Sequence, residues 1–247
     1  PLIFNNNDRP GIMLSSAVKK YADFYGVVSG KKNVFFTNND SAYESAFSLH
    51  NKGIKVEAII DIREGSNSKT VKAVEEAGIK IYWSSTIVDT TGYKRLNSVS
   101  VMKLSNDGLS VTGNKTNISC DCLGVSGGWT PAVHLFTQSG GKLTFDDNDK
   151  VFLPNKYPSE QLSVGSCNGD FEIKKIVKNL STNLKDFLKI DKIDFENINV
   201  ESEEETSKRN IWLLPSDKPI GKTKPFVDYQ NDATAKDIKL ALREGVR

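Results

Sequence analysis

The feature that most constrains this chain is the alternation, between residues 33 and 83, of short apolar runs with amphipathic stretches closed by glycine. Asn33-Val34-Phe35-Phe36-Thr37 is a short apolar run suited to a strand buried on both faces. From Ser41 to Lys52 the spacing of Ala42, Ala46 and Leu49 predicts a helix, with Gly53 as its cap. Val56 to Ile60 predicts a second strand, ending at Asp61. Lys69 to Ala77 predicts a second helix closed by Gly78, and Ile79 to Trp83 a third strand. This is β-α-β-α-β. Crossovers between parallel strands are right-handed, so the pattern implies a parallel sheet of Rossmann type and an α/β fold class.

The flanks are of a different kind. Residues 1–12 are a polar lead in which Asp8-Arg9-Pro10-Gly11 reads as a turn, and Met13, Ala17, Tyr21 and Phe24 predict a helix over 13–25 that stops at Gly26. Over 96–126, Val99, Val101, Leu104, Leu109 and Val111 alternate with polar residues around an Asn106-Asp107-Gly108 turn. That predicts an antiparallel meander, ending in a buried strand at Cys122–Ser126 that runs into Gly127-Gly128-Trp129-Thr130-Pro131. Residues 139–161 read as loop, Leu162–Gly165 as a short strand, and 171–188 as a helix. The acidic run Glu201, Glu203, Glu204 and Glu205 within 191–209 reads as a solvated loop. A last helix spans about 234–244, with Asp232 or Thr234 as N-cap.

Composition excludes several classes of function. The 247 residues carry 33 Lys+Arg against 31 Asp+Glu, a net charge of +2, which provides no basic face for nucleic acid. No apolar run is long enough for a membrane span or a secretory signal. Three cysteines make a disulfide framework a poor expectation and fit a reducing, cytoplasmic setting. Cys120 and Cys122 form C-x-C with Cys167 distant, which matches neither a four-ligand zinc spacing nor a C-x2-C redox pair. They read as small packing residues, and no metal site is expected. No motif places a Ser or Cys nucleophile beside His134, which reads as structural, and no catalytic residue is assigned. Trp129 with Pro131 reads as packing its loop, with an interface role as the alternative.

A β-α-β unit raises the question of a dinucleotide, and the first strand-to-helix turn is the test. Glycines are needed there, because a Cβ blocks the pyrophosphate from the backbone and from the helix N-terminus. The turn reads Thr37-Asn38-Asn39-Asp40-Ser41-Ala42-Tyr43, and in either register the first two glycines are missing. Asp40 also places a negative charge where phosphates would sit. The Rossmann half is expected to have kept its fold and lost its phosphate cradle. Asp61 lies at the second strand end, where a ribose-binding acid is found, with Arg63 two positions on for a 2′-phosphate; an Asp at a strand end is also a common turn residue. Gly165-Ser166-Cys167-Asn168-Gly169-Asp170 is a second candidate, read equally as an anion site before a helix or as a plain tight turn.

Four blocks carry a resemblance to a known family: Asp8–Leu14, Phe36–Tyr43, Val125–Leu135 and Phe226–Asp232. In order and in detail they closely resemble the α subunit of heterotetrameric sarcosine oxidase. More loosely, the layout is similar to the FAD/NAD(P)-binding disulfide-reductase superfamily, in which a second Rossmann domain is inserted into a first. The resemblance implies a three-layer inserted Rossmann-like domain with an antiparallel meander over 1–126, and over 127–247 the return strands of a partial first FAD/NAD(P)-binding domain. It implies that the chain is an internal segment, with the NAD fingerprint before Pro1 and a folate domain beyond Arg247.

For activity, the resemblance implies oxidative demethylation of sarcosine to glycine, hydrogen peroxide and methylene-tetrahydrofolate by the whole complex, the chain alone being inactive. The implied cofactors are NAD in this subunit and FAD, FMN and tetrahydrofolate elsewhere in the complex; the implied partners are the other subunits and the rest of the same subunit. Gly165, Asp170 and Glu172 are the residues it implies lie nearest NAD, with Gly127, Gly128 and Asp61 as further cofactor-binding candidates. The competing expectations are a stand-alone NAD(P)H-dependent flavoprotein reductase, which needs the missing glycines, and a non-catalytic subunit-interaction module.

Overall fold

A computed structural model describes residues 2–158, 160–190 and 209–246. These form two compact units, one of residues 2–128 with 209–246 and the other within 129–190. The sequence divides after residue 126 and assigns everything beyond to one segment. In the structure the C-terminal stretch instead packs with the first unit, because residues 211–214 and 223–229 hydrogen-bond the polar lead. Ile3 N–H donates to the Trp212 carbonyl at 2.7 Å and Leu214 N–H to the Ile3 carbonyl at 3.0 Å. The Asn7 side chain pairs with the Phe226 backbone as a strand would, donating to its carbonyl at 2.9 Å and accepting its N–H at 2.8 Å.

The first unit is built on a five-stranded parallel sheet. In chain order its pieces are β1 (Ile12–Leu14), α1 (Ser15–Tyr25), β2 (Asn33–Thr37), α2 (Ser41–Asn51), β3 (Val56–Asp61), α3 (Lys69–Glu76) and β4 (Ile81–Tyr82). An antiparallel meander follows, β5 (Ser85–Thr91), β6 (Ser98–Leu104) and β7 (Val111–Ser119), before the chain returns to the parallel sheet as β8 (Cys122–Ser126). The strand order is β1-β8-β2-β3-β4. β2 and β8 are buried along their whole lengths, as strands covered on both faces must be. Gly124 of β8 is needed for that packing, since a Cβ there would lie 2.7 Å from the Phe35 ring.

Three layers result. Val18 and Ala22 of α1, Tyr43, Ala46 and Leu49 of α2, and Val71 and Val74 of α3 pack on Phe35, Ile59 and Cys122. On the opposite sheet face, Val34, Phe36, Ile60, Leu123 and Val125 meet Ile87, Val99, Val101 and Leu104 of the meander. Fully burying an aliphatic or aromatic side chain of this size contributes about 1.5–3 kcal/mol, so the two cores supply the main driving force. Cys120 and Cys122 fall in different cores, and burial pushes both thiols up to about 12. Both are free.

The second unit holds α4 (His134–Gln138), a hairpin of β9 (Lys142–Asp146) and β10 (Val151–Lys156), a 3-10 turn at Gly165–Asn168, and α5 (Ile173–Leu188). The hairpin lies where the sequence reads as loop. Leu162–Gly165 is not a strand: Gly165 takes φ +70° and begins the 3-10 turn. β5 was unsignalled, because Ser85–Thr91 is mostly Ser, Thr and Asp and lacks an apolar run. The third strand shortens to Ile81–Tyr82. In the first unit, β11 (Phe226–Asp228) pairs with β12 (Ala233–Thr234), followed by α6 (Ala235–Glu244). Thr234, not Asp232, is the N-cap of α6, in a capping box with Asp237. The acidic run at 201–205 lies outside the described residues. None of the described helices is long and apolar enough to cross a membrane.

Candidate functional site

In a parallel sheet with helical crossovers, ligands bind in the crevice outside the carboxyl ends of the strands. Here those ends are Thr37 of β2, Asp61 of β3 and Ser126 of β8. The parallel register sets these three residues side by side, Thr37 opposite both Asp61 and Ser126.

The turn from β2 into α2 is closed by its own side chains. Thr37 Oγ1 donates to the Asn39 carbonyl at 2.8 Å and accepts the Asn39 N–H at 3.1 Å. The Asn39 amide nitrogen donates to Asn38 Oδ1 at 2.7 Å and to Ser126 Oγ at 3.2 Å. Asn39 Oδ1 accepts from the N–H of Ser41 at 3.0 Å and its hydroxyl at 2.6 Å, which satisfies a backbone donor at the helix start. Ser41 Oγ and Ser126 Oγ lie 2.8 Å apart. Asn38, Asn39, Asp40 and Ser126 are all buried. A phosphate cradle needs bare backbone at this point; these residues fill it with side chains.

Beside this turn lies a buried ionic cluster. Arg63 Nη2 lies 2.7 Å from Asp61 Oδ2 and 2.7 Å from Asp40 Oδ1. Arg63 Nε and the Arg63 backbone N–H also donate to Asp61 Oδ1, at 3.0 and 2.9 Å. The Tyr43 hydroxyl donates to Asp61 Oδ2 at 2.8 Å, and the Ser66 hydroxyl to Asp40 Oδ2 at 3.2 Å. The guanidinium sits over the stacked rings of Tyr43 and Trp83, 5.8 and 6.0 Å from their centroids. Asp61 is 0% exposed and the Arg63 side chain 3%. Burial pushes the Asp61 carboxyl up against the opposing pull of Arg63, and burial with the Asp61 charge raises the Tyr43 hydroxyl. Burial alone would lower the guanidinium, but hydrogen bonds and charge from Asp61 and Asp40 raise it. The cluster has the parts of a structural ion network and no solvent-facing acid or base.

The residues 209–214 run across the same crevice. Arg209 N–H donates to the Asn38 carbonyl at 3.4 Å, and Asn38 Nδ2 donates to the Arg209 carbonyl at 3.2 Å. Arg209 Nη1 donates to the Ile62 carbonyl at 2.8 Å, and Trp212 Nε1 to the Gly127 carbonyl at 2.9 Å. Asn38, Ile62 and Gly127 are the first residues beyond β2, β3 and β8. A dinucleotide is what this fold holds in other proteins; the residues at this crevice do not fit one. The sequence did not reveal this strap. Its one signal is the apolar run Ile211-Trp212-Leu213-Leu214, directly after a polar stretch.

Of the other candidates, Gly127 and Gly128 follow β8, with Gly128 at φ +91° and Asn38 Oδ1 3.9 Å from where a Cβ would stand. In the second unit, Gly165 and Gly169 take positive φ and bracket the 3-10 turn. Asp170 is buried; its Oδ2 accepts from Asn179 Nδ2 at 3.0 Å and its Oδ1 lies 3.0 Å from Lys175 Nζ. The Asp170 hydrogen bond raises Lys175 above the ordinary lysine range. Glu172 precedes α5 as its N-cap residue and makes no capping bond with its side chain. Trp129 is exposed, as are His50 and His134. Among the described residues, no group of His, Cys, Asp or Glu is arranged to hold a metal.

No protein-family model matches the chain. The chain is 34% identical over 257 residues to the sarcosine oxidase subunit alpha of Corynebacterium sp. (strain P-1), covering 100% of this chain and 26% of that protein. It is 31% identical over 258 residues to the same subunit of Rhizobium meliloti (strain 1021), covering 99% and 24%. The crystal structure of Lactococcus lactis thioredoxin reductase superposes with a TM-score of 0.50 at 16% identity, over 75% of this chain and 60% of that one. That likeness shows the Rossmann-like FAD/NAD(P)-binding fold. The chain spans about a quarter of the length of its curated relatives. By sequence, the chain belongs with the sarcosine oxidase α subunits, matching one segment of them from end to end.

Proposed function

We propose that this chain serves as the nucleotide-domain segment of a sarcosine oxidase α-type subunit. In this reading it forms a framework within a complex that oxidises sarcosine to glycine, with release of hydrogen peroxide and transfer of the one-carbon unit to tetrahydrofolate. The chain contributes folded walls to a cofactor region and no catalytic group of its own. The observation that carries the reading is the match to the α subunits over 100% of this chain. The site supports it: the crevice of the first unit is lined by buried polar groups bonded to one another, and the two histidines are exposed on helices.

NAD is the cofactor assigned to the assembled subunit. Gly165, Asp170 and Glu172 are the residues of this chain assigned nearest to it, and the flavins and tetrahydrofolate are assigned to the rest of the complex. The chemistry of hydride and electron transfer belongs to such cofactors, while protein groups supply binding and orientation. The partners are the remaining parts of the subunit and the other subunits, and the location is the cytoplasm.

Sarcosine-dependent peroxide production tests the reading, measured on the chain alone and on a complex whose α subunit carries this segment. The expected result is turnover by the complex and none by the chain. Turnover by the chain alone, or a complex inert toward sarcosine, contradicts it.

A further inference from the structure

We infer that the first unit is a self-liganded Rossmann fold: its own residues Asp40, Arg63 and 209–212 take the place that a dinucleotide takes in this architecture. The inference deepens the reading above, and rests on it only for the choice of NAD as the probe.

Three independent observations converge. The first is chemical. A helix N-terminus at the end of the first crossover strand attracts an anion through its free N–H groups and dipole. In this chain Asn39 Oδ1 takes the Ser41 N–H at 3.0 Å, and the Asp40 carboxylate stands at the start of α2 without a capping bond, adding negative charge where a phosphate would sit. Its counter-charge is also internal, since Arg63 Nη2 lies 2.7 Å from Asp40 Oδ1.

The second observation is the fate of Asp61. A ribose-binding acid at this strand end must present a carboxylate oxygen to the crevice. Both oxygens of Asp61 are instead engaged, Oδ1 by the Nε and backbone N–H of Arg63, Oδ2 by Arg63 Nη2 and the Tyr43 hydroxyl. Pulling one oxygen away to meet a sugar would leave a guanidinium buried at 3% exposure without its main partner. That loss outweighs the hydrogen bond a ribose hydroxyl returns.

The third is topological. Residues 209–212 bond the first residue beyond each of the strands β2, β3 and β8, so the strap lies along the line a dinucleotide follows across the strand ends. Arg209 extends this seal to the meander, where Nη2 donates to the Asn106 carbonyl at 2.8 Å. The strap bonds the turn through Asn38 and the ends of β3 and β8 through Ile62 and Gly127, and Asp40 ties the turn to Arg63 of the ionic cluster.

Amide hydrogen exchange, followed by mass spectrometry with and without millimolar NAD or NADH, tests this on the whole chain and on the complex. The expected result is unchanged exchange at residues 38–43, 62–66 and 209–214, whether or not protection appears at 165–172. Slowed exchange at 38–43 or 62–66 on adding either nucleotide overturns the inference. A variant, Arg209→Ala, adds a second arm. It is expected to exchange faster at 209–214, still with no protection of 38–43 or 62–66 by NAD. Protection of 38–43 or 62–66 by NAD in the variant would overturn the inference by showing the strap to be a gate over a competent site. Sarcosine turnover decides the reading of the previous section, and these two arms decide this one, so the two fail separately.

Discussion

Arg63 is the residue on which the first unit depends most. It neutralises Asp40 and Asp61 together and lies over the rings of Tyr43 and Trp83. Arg63→Met keeps the length of the stem but leaves two buried carboxylates without their cation. Breaking a buried pair from one side costs about 3–5 kcal/mol, so urea denaturation should show a midpoint reduced to match, or a chain that no longer folds. A midpoint unchanged within error would mean that the cluster is not the buried network described. Asp121 gives a prediction of opposite character. Burial works against its charge, but the N–H groups of Lys31 and Lys32 and the Arg95 guanidinium win, so its folded pKa is lowered. A depressed acid stabilises the fold above its unfolded pKa of about 3.9, and that contribution disappears as pH falls through the lower folded value. Stability below pH 4 should therefore fall less steeply in Asp121→Asn than in the parent, which a series of urea midpoints across pH 2–6 will read.

At the scale of elements, local signals did their work where hydrophobic period and glycine punctuation agreed. The helices over 15–25, 41–51 and 69–76 and the strands at 33–37, 56–61 and 122–126 were legible for that reason. β5 and the β9–β10 hairpin were not. β5 is held by ladder bonds to β6 and by burial, with no apolar run to announce it, and β9–β10 carries its aromatics Phe145 and Phe152 half exposed. The glycine-free turn at 37–43 was legible as a lost cradle. That the crevice is sealed was not, because the seal joins residues 38 and 209, and separations of that length leave no periodic trace. Two substitutions probe this level. Thr234→Ala removes the hydroxyl half of the α6 capping box and should lower stability by about 1 kcal/mol, seen as a shifted denaturation midpoint. Gly124→Val drives a branched side chain into the Phe35 ring and should cost at least about 1–3 kcal/mol, with the loss read from the same curves.

For the molecule as a whole, fold and kinship point to one conclusion, while the chemistry of the site limits it. The layered α/β architecture and the end-to-end match place the chain among the α subunits of sarcosine oxidase, and the crevice that gives this fold its usual ligand is filled from within. The proposed role follows from these two facts together: a wall and a brace within a larger subunit. The most direct test is a titration of NAD and NADH into the isolated chain, followed by tryptophan fluorescence. Trp83 sits at the ionic cluster and Trp212 within the strap, so in the Trp129→Phe variant a ligand entering the crevice must disturb one or both of the remaining indoles. The account predicts no saturable change up to millimolar nucleotide. A saturable change with a micromolar Kd would contradict it.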